Sequence, residues 1–226
     1  MATGLLFDFD GTLYGDWRLW ISVIEETLAN FQITVTPHDS LEMARRMIEN
    51  GGNPNTTIRI SSIAAALARD QGINLPEEEV RTKFFERLDA HMDQTGPDKK
   101  IVSLLREFTR RGFRMGIVTF VRKPRIHRRL DLWKLKEYFP SVITPDDVAE
   151  FKPSPRPFLK AMEDLQVQPD ECFVVGDEPV DMIGGRRAGA KTIGLPQGFF
   201  TGQELENAGA DRILSSLELL PVMIYK

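Results

Sequence analysis

Cysteine is almost missing from this chain. Cys172 stands alone among 226 residues, which excludes an intramolecular disulfide framework and any metal site built from several cysteines. That usage fits a reducing compartment. The three histidines, His38, His91 and His127, are scattered and read as structural or surface residues. Long apolar runs are absent too, and nothing approaches the ~20 residues of a membrane span. The opening MATGLLFDFD has acids inside its short apolar run and no basic leader, so it does not read as a signal peptide. Basic charge is not in excess: 29 Lys and Arg face 33 Asp and Glu, a net charge of −4, which argues against a general nucleic-acid footprint. The 14 prolines and 17 glycines are spread along the chain, leaving no low-complexity tail, and no internal repeat is visible. These absences lead us to expect a cytoplasmic protein with no nucleic-acid and no membrane partner.

What is present is the balance of an ordinary globular chain, 42% apolar and 27% charged. The length is about one and a half times the usual ~150-residue domain, so one large domain or two unequal ones would fit. A chain of this size buries roughly 70% of its unfolded surface and needs no staples.

Two textures divide the sequence. Leu5 to Asp10 (LLFDFD) reads as a buried strand stopped by Gly11-Thr12. From Asp16 to His91 apolar residues recur at helical spacing. The sets are Trp17, Trp20, Ile21, Ile24 and Leu28, then Leu41, Ala44, Met47 and Ile48, then Ile60, Ile63, Ala64, Leu67 and Ala68. A last helix starts at Leu75-Pro76-Glu77-Glu78-Glu79, with proline early and acids in the first turn, and runs through Val80, Phe84 and Leu88. This block is expected to be four helices.

After Gly96-Pro97 strands and helices alternate. Strands are expected at Phe113–Thr119, Ser141–Thr144, Cys172–Gly176, Lys191–Leu195 and Asp211–Leu214. Helices are expected at Ile101–Arg111, Ile126–Tyr138, Pro157–Leu165 and Asp181–Ala188. Alternation of this kind implies right-handed crossovers and a doubly wound, Rossmann-like parallel sheet, an α/β fold. Ligands of such sheets sit at the carboxyl ends of the strands, which gathers Asp8, Asp10, Thr119 and Asp177 at one edge.

The local chemistry is densest in Asp8-Phe9-Asp10-Gly11-Thr12. Strand alternation would point both carboxylates to one side, where they repel unless a cation or shared proton settles them. Gly176-Asp177-Glu178-Pro179-Val180-Asp181 follows another buried strand and opens a glycine-rich helix. Several aspartates at strand ends suit Mg²⁺, which takes a few carboxylates plus waters and phosphate oxygens. Thr119 adds a hydroxyl and Lys152-Pro153-Ser154-Pro155 an ammonium, the groups that neutralise a phosphoryl group.

The ordered set DFDGT, strand-Thr, KPxP and GDxxxD resembles the four motifs of the haloacid dehalogenase-like (HAD) hydrolase superfamily, from Leu5 to about Leu214. The resemblance implies an α/β catalytic core over 1–13 and 94–226 and an inserted all-helical cap over 14–93. It implies a Mg²⁺-dependent phosphatase acting on a small phosphorylated metabolite. Asp8 would be the nucleophile and Asp10 the acid and then the base. Asp8, the backbone carbonyl of Asp10, and Asp177 would bind the metal. Thr119, Lys152 and Gly11 would hold the phosphoryl group, and Asp181 would complete the acidic shell. Dehalogenases of the family lack an aspartate where Asp10 stands, which favours phosphoryl transfer here. Rival readings are a sugar phosphomutase of the same fold and a catalytically weak phosphate-binding module.

One position departs from the pattern. Many relatives with this cap carry Asn after the motif-two Thr or Ser, whereas Phe120 follows Thr119, so Phe120 is expected to pack against the leaving group or the cap. Arg122-Lys123-Pro124-Arg125-Ile126-His127-Arg128-Arg129 reads as a solvated helix face. Within it, Arg122 or Lys123 could meet a second anionic group of the substrate. By the same resemblance Trp17, Arg18 and the Gly51–Asn55 loop form a specificity surface. Gly184, Gly185 and Gly189 are expected to ease close helix packing.

Overall fold

A computed structural model describes residues 3–15, 17–33, 35–36, 65–66, 68–69 and 72–225. The chain divides into two compact units, residues 1–16 with 97–226 and residues 17–96.

The larger unit is built on a six-stranded sheet. Its strands are β1 (Gly4–Phe7), β2 (Arg114–Val118), β3 (Ser141–Ile143), β4 (Cys172–Gly176), β5 (Lys191–Gly194) and β6 (Arg212–Ile213). Their order is β3-β2-β1-β4-β5-β6, and every neighbouring pair is parallel. The chain winds from β1 out to β3, then returns to the other flank of β1 to lay down β4, β5 and β6. The reversal lies between β1 and β4, where a doubly wound sheet opens a crevice at its carboxyl edge. Leu5, Leu6 and Phe7 are buried on both faces, as a central parallel strand requires.

Helices α3 (Lys99–Arg110), α4 (Lys123–Leu132), α5 (Arg156–Leu165), α6 (Pro179–Arg187), α7 (Gly202–Asn207) and α8 (Leu220–Ile224) complete this unit. On one face Phe158, Ala161, Met162 and Leu165 of α5 join Leu6, Val118 and Val174 in the core. α6 packs on β4 and β5 closely enough that a Cβ at Gly185 would strike Val174 and Thr192, and one at Gly184 would strike Phe158. The glycines thus set the helix-to-sheet distance. Among the described residues, no helix is long and apolar enough to cross a membrane.

In the helical unit, α1 (Trp17–Ala29) packs along α2 (Glu77–Thr95). Trp20 stacks on Phe84, and Ile21, Ile24 and Leu28 share the buried stripe with Val80, Leu88 and Met92. Arg87 ties the pair with bonds to Glu26 and Asn30. Ala65 and Ala68 are helical and buried. The helix expected at Leu41–Ile48, most of the one at Ile60–Ala68 and the Gly51–Asn55 loop lie outside the described residues.

Three expectations need correction. The first strand ends at Phe7, not Asp10, because the Phe9 carbonyl accepts from the N–H groups of Leu13 and Tyr14 and folds the chain into a turn. The helix expected to reach Tyr138 stops at Leu132. There Lys134 adopts a left-handed φ of 56°, and Lys134 and Leu135 donate back to Asp131 and Leu130, a Schellman closure made without glycine. Helices α7 and α8 were not foreseen. α7 carries a legible signal, the reciprocal capping box of Thr201 and Glu204.

Candidate active site

The sheet brings its acids together by topology. Asp8 follows β1 and stays in register, its N–H donating to Val175 O at 2.9 Å. Asp177 follows β4, Thr119 follows β2, and Asp181 lies in the first turn of α6. Lys152 arrives from the loop between β3 and α5. All five side chains are buried.

Lys152 Nζ lies 2.8 Å from Asp8 Oδ1 and 2.8 Å from Asp181 Oδ1. Carboxylate oxygens of Asp8, Asp177 and Asp181 all come within 4.8 Å of one another. Burial opposes the Lys152 charge, but Asp181 and Asp8 outweigh it and hold the ammonium above its ordinary range. Burial lifts Asp177 well above the usual carboxylate value, Asp8, Glu178 and Asp181 add to this, and a hydrogen bond from Thr12 at 2.8 Å pulls against it. Asp181 is lifted by burial to about 7, with Lys152 opposing and Asp8 reinforcing. The donors are all hard oxygens, so the residues present fit Mg²⁺.

Asp10 sits apart from this group. Its carboxylate turns to Arg129, whose Nη1 is 3.3 Å from Oδ1, and burial raises it to about 6, with Arg129 lowering and Asp8 raising it. Alternation had placed both aspartates side by side. Because the strand ends at Phe7, Asp8 meets Lys152 and Asp10 meets Arg129.

Gly11 adopts a φ of +87°, and a Cβ there would fall inside the Asp177 carboxylate. Gly11→Ala therefore combines backbone strain with displacement of a site acid. Urea unfolding is expected to show a loss of at least about 1 kcal/mol, with activity falling alongside.

The remaining candidates are placed as follows. Thr119 Oγ1 accepts from Val121 N at 3.1 Å. The half-buried Phe120 packs edge-on to Phe151, ring centroids 5.0 Å apart, and the Lys152 ammonium lies 5.0 Å over its ring. Arg122 is ion-paired with Asp146 and Lys123 with Asp147, so each faces an acid of the neighbouring loop. Trp17 and Arg18 open α1 in the helical unit, with Arg18 exposed. Cys172 is buried and its thiol is pushed up to about 12 by that burial, an inert core group.

The reading of the basic run as a solvated face fails on its inner side, where Arg125 is half-buried and favours the Asp10 charge and Arg129 is buried. Arg122, Lys123 and Arg128 are exposed, but Arg129 is 1% exposed. No local pattern distinguishes it from its neighbours; only the helical offset from Ile126, itself buried, hints that it faces inward. Thr12, bonded to Asp177, and the buried Glu178 were likewise not singled out.

The family model described as haloacid dehalogenase-like hydrolase matches residues 5–195. Pyrophosphatase PpaX of Bacillus mycoides is 30% identical over 221 residues, covering 97% of this chain and 95% of that protein. A Haemophilus somnus structure described as a predicted phosphoglycolate phosphatase superposes with a TM-score of 0.79 at 17% identity, covering 100% and 98% of the two chains. CbbY of Rhodobacter sphaeroides, solved with phosphate, gives a TM-score of 0.71 at 25% identity over 97% and 96%. The match spans both the strand-end acids and the sheet that positions them, and this chain is an enzyme of the haloacid dehalogenase-like hydrolase family.

Proposed function

We propose that the protein is a Mg²⁺-dependent phosphatase that hydrolyses a small phosphorylated metabolite through an aspartyl-phosphate on Asp8. The observation that carries this reading is the buried Lys152 ammonium, 2.8 Å from Asp8 and within a group of three carboxylates at the carboxyl edge of the sheet. A lysine so placed holds the Asp8 carboxylate ready and offsets its repulsion from an incoming phosphate. Asp8 Oδ attacks phosphorus and the bond to the leaving oxygen breaks, that oxygen taking a proton from Asp10. Asp10, now ionised, takes a proton from water. The water oxygen attacks phosphorus, and Asp8 and inorganic phosphate are released. Thr119 Oγ1, which accepts from Val121 N, directs its own proton to a phosphoryl oxygen.

Asp8, Asp177 and the Asp10 backbone carbonyl would hold Mg²⁺, with Asp181 directly or through water. Bound there, the ion would neutralise phosphoryl oxygens as charge develops. The helical unit, residues 17–96, is assigned as the cap that selects substrate, with Trp17, Arg18 and Phe120 as contributors. Localisation in the cytoplasm fits the single reduced cysteine.

The test is phosphate release from p-nitrophenyl phosphate, then from a panel that includes inorganic pyrophosphate and phosphoglycolate, the compounds in the relatives' names. EDTA is expected to abolish release and added Mg²⁺ to restore it. Release that persists in EDTA contradicts the metal assignment. Bisphosphate-primed isomerisation of a hexose phosphate without net release would instead mark a mutase. Five intact groups, Asp8, Asp10, Thr119, Lys152 and Asp177, exceed what a binding module requires.

A further inference from the structure

We propose that Arg129 is a positioning residue that fixes the carboxylate of Asp10 apart from the acidic group of Asp8, Asp177 and Asp181. The inference rests on the reading of Asp10 as the proton donor to the leaving oxygen. Arg129 lies in α4, where Lys123 and Arg128 are exposed and Arg125 is half-buried, yet it is 1% exposed. A guanidinium taken out of water is costly unless an acid and a good geometry compensate it. Here its Nη1 lies 3.3 Å from Asp10 Oδ1 and its fork lies over the Phe9 ring, 5.9 Å from the centroid. The ion pair with Asp10 is the contact through which Arg129 acts on the reacting groups.

The two buried cations divide the acids between them. Lys152 pairs with Asp8 and Asp181, and Arg129 pairs with Asp10, whose charge Arg125 also favours. Only Phe9 separates Asp10 from Asp8, and Lys152 or a cation held by Asp8 and Asp177 would attract the Asp10 carboxylate if nothing held it back. The backbone on either side is already fixed: Gly11 N donates to Tyr14 O at 2.8 Å, and the Phe9 carbonyl accepts from Leu13 and Tyr14. What remains to be set is the side-chain torsion. A planar guanidinium with a rigid fork sets that direction better than an ammonium on a flexible stem.

Leaving-group dependence separates positioning of an acid from general support of the fold. p-Nitrophenyl phosphate departs as a weakly basic phenolate that needs little protonation, whereas 2-phenylethyl phosphate departs as an alkoxide that needs it. kcat/KM is compared, since it reports the first chemical step and not the later hydrolysis of the phosphoenzyme. In Arg129→Met, kcat/KM for the alkyl ester is expected to fall about 10²-fold, and for the aryl ester less than about tenfold. Their ratio is independent of the fraction of enzyme that folds. Arg129→Lys keeps the charge and is expected to show a smaller selective loss, about tenfold, and it carries the test if Arg129→Met does not fold. Equal losses on both esters, or none on the alkyl ester, overturn the proposal. Asp10→Asn is the control. If it also penalises both esters equally, the reading of Asp10 fails. If it penalises the alkyl ester selectively while the Arg129 variants do not, only the role of Arg129 fails.

Discussion

Asp8→Asn is expected to lower kcat/KM for p-nitrophenyl phosphate by about 10⁴-fold or more, the scale seen when a nucleophile is removed from a site whose groups act as a unit. The change is nearly isosteric, and an amide cannot attack phosphorus to form the acyl phosphate. The loss is chemical and not structural, which the melting temperature separates. Asp8 is one of three buried carboxylates whose oxygens crowd within 4.8 Å. Its charge is among the causes that raise Asp177, after burial itself. Lys152 retains Asp181 at 2.8 Å when Asp8 is neutralised. In EDTA the variant's Tm should therefore equal or exceed that of the wild type. A fall of many degrees would assign Asp8 a structural role.

Lys152→Met has the second large effect, and it strikes both activity and stability. Removing one preorganised positive group from a phosphoryl site costs about 10²–10³ in kcat. Breaking a buried ion pair from one side costs about 3–5 kcal/mol, because the partner charges stay buried. Asp8 and Asp181 both lose their cation at once. The deficit depends on pH, with a definite sign. Asp181 is raised from an ordinary 3.8 to about 7 by burial, even though Lys152 opposes the rise. A carboxyl raised in the folded state binds its proton more tightly there than in the unfolded chain. Its contribution is thus fully present below the unfolded value and is lost as pH rises through the folded one. Without Lys152 that loss deepens. In metal-free urea titrations, Lys152→Met should lose less stability relative to wild type at about pH 5 than at about pH 8. A deficit that does not change with pH would mean that the methylene stem of Lys152, and not its charge, matters.

The strand-end acids were legible because a parallel sheet leaves few places for them. Asp8 and Asp177 each follow an uninterrupted apolar run, and topology alone brings such ends to one edge. The helix breaks were less visible. The stop at Leu132 uses Lys134 in a left-handed conformation, which leaves no glycine for a reader to find. The division of acids between two cations was hidden for a different reason. Strand alternation holds only while the strand lasts, and the turn at Phe9 frees Asp10 from it. Arg129 was masked by company: in a run of five Arg and Lys its residue type carries no information, and only three-dimensional packing shows it facing inward. Phe120 shows the intermediate case, where the departure from the family pattern was plain but its partners, Phe151 and Lys152, come from a loop 31 to 32 residues further on.

The covalent step itself can be observed. Enzyme turning over p-nitrophenyl phosphate with Mg²⁺ is quenched in acid and its intact mass measured, followed by peptide mapping after borohydride reduction. A fraction of the protein is expected to be heavier by one phosphoryl group, with the reduced residue at Asp8 and none in Asp8→Asn. Turnover without any phosphoryl adduct, or with the adduct on a different residue, would contradict nucleophilic attack by Asp8.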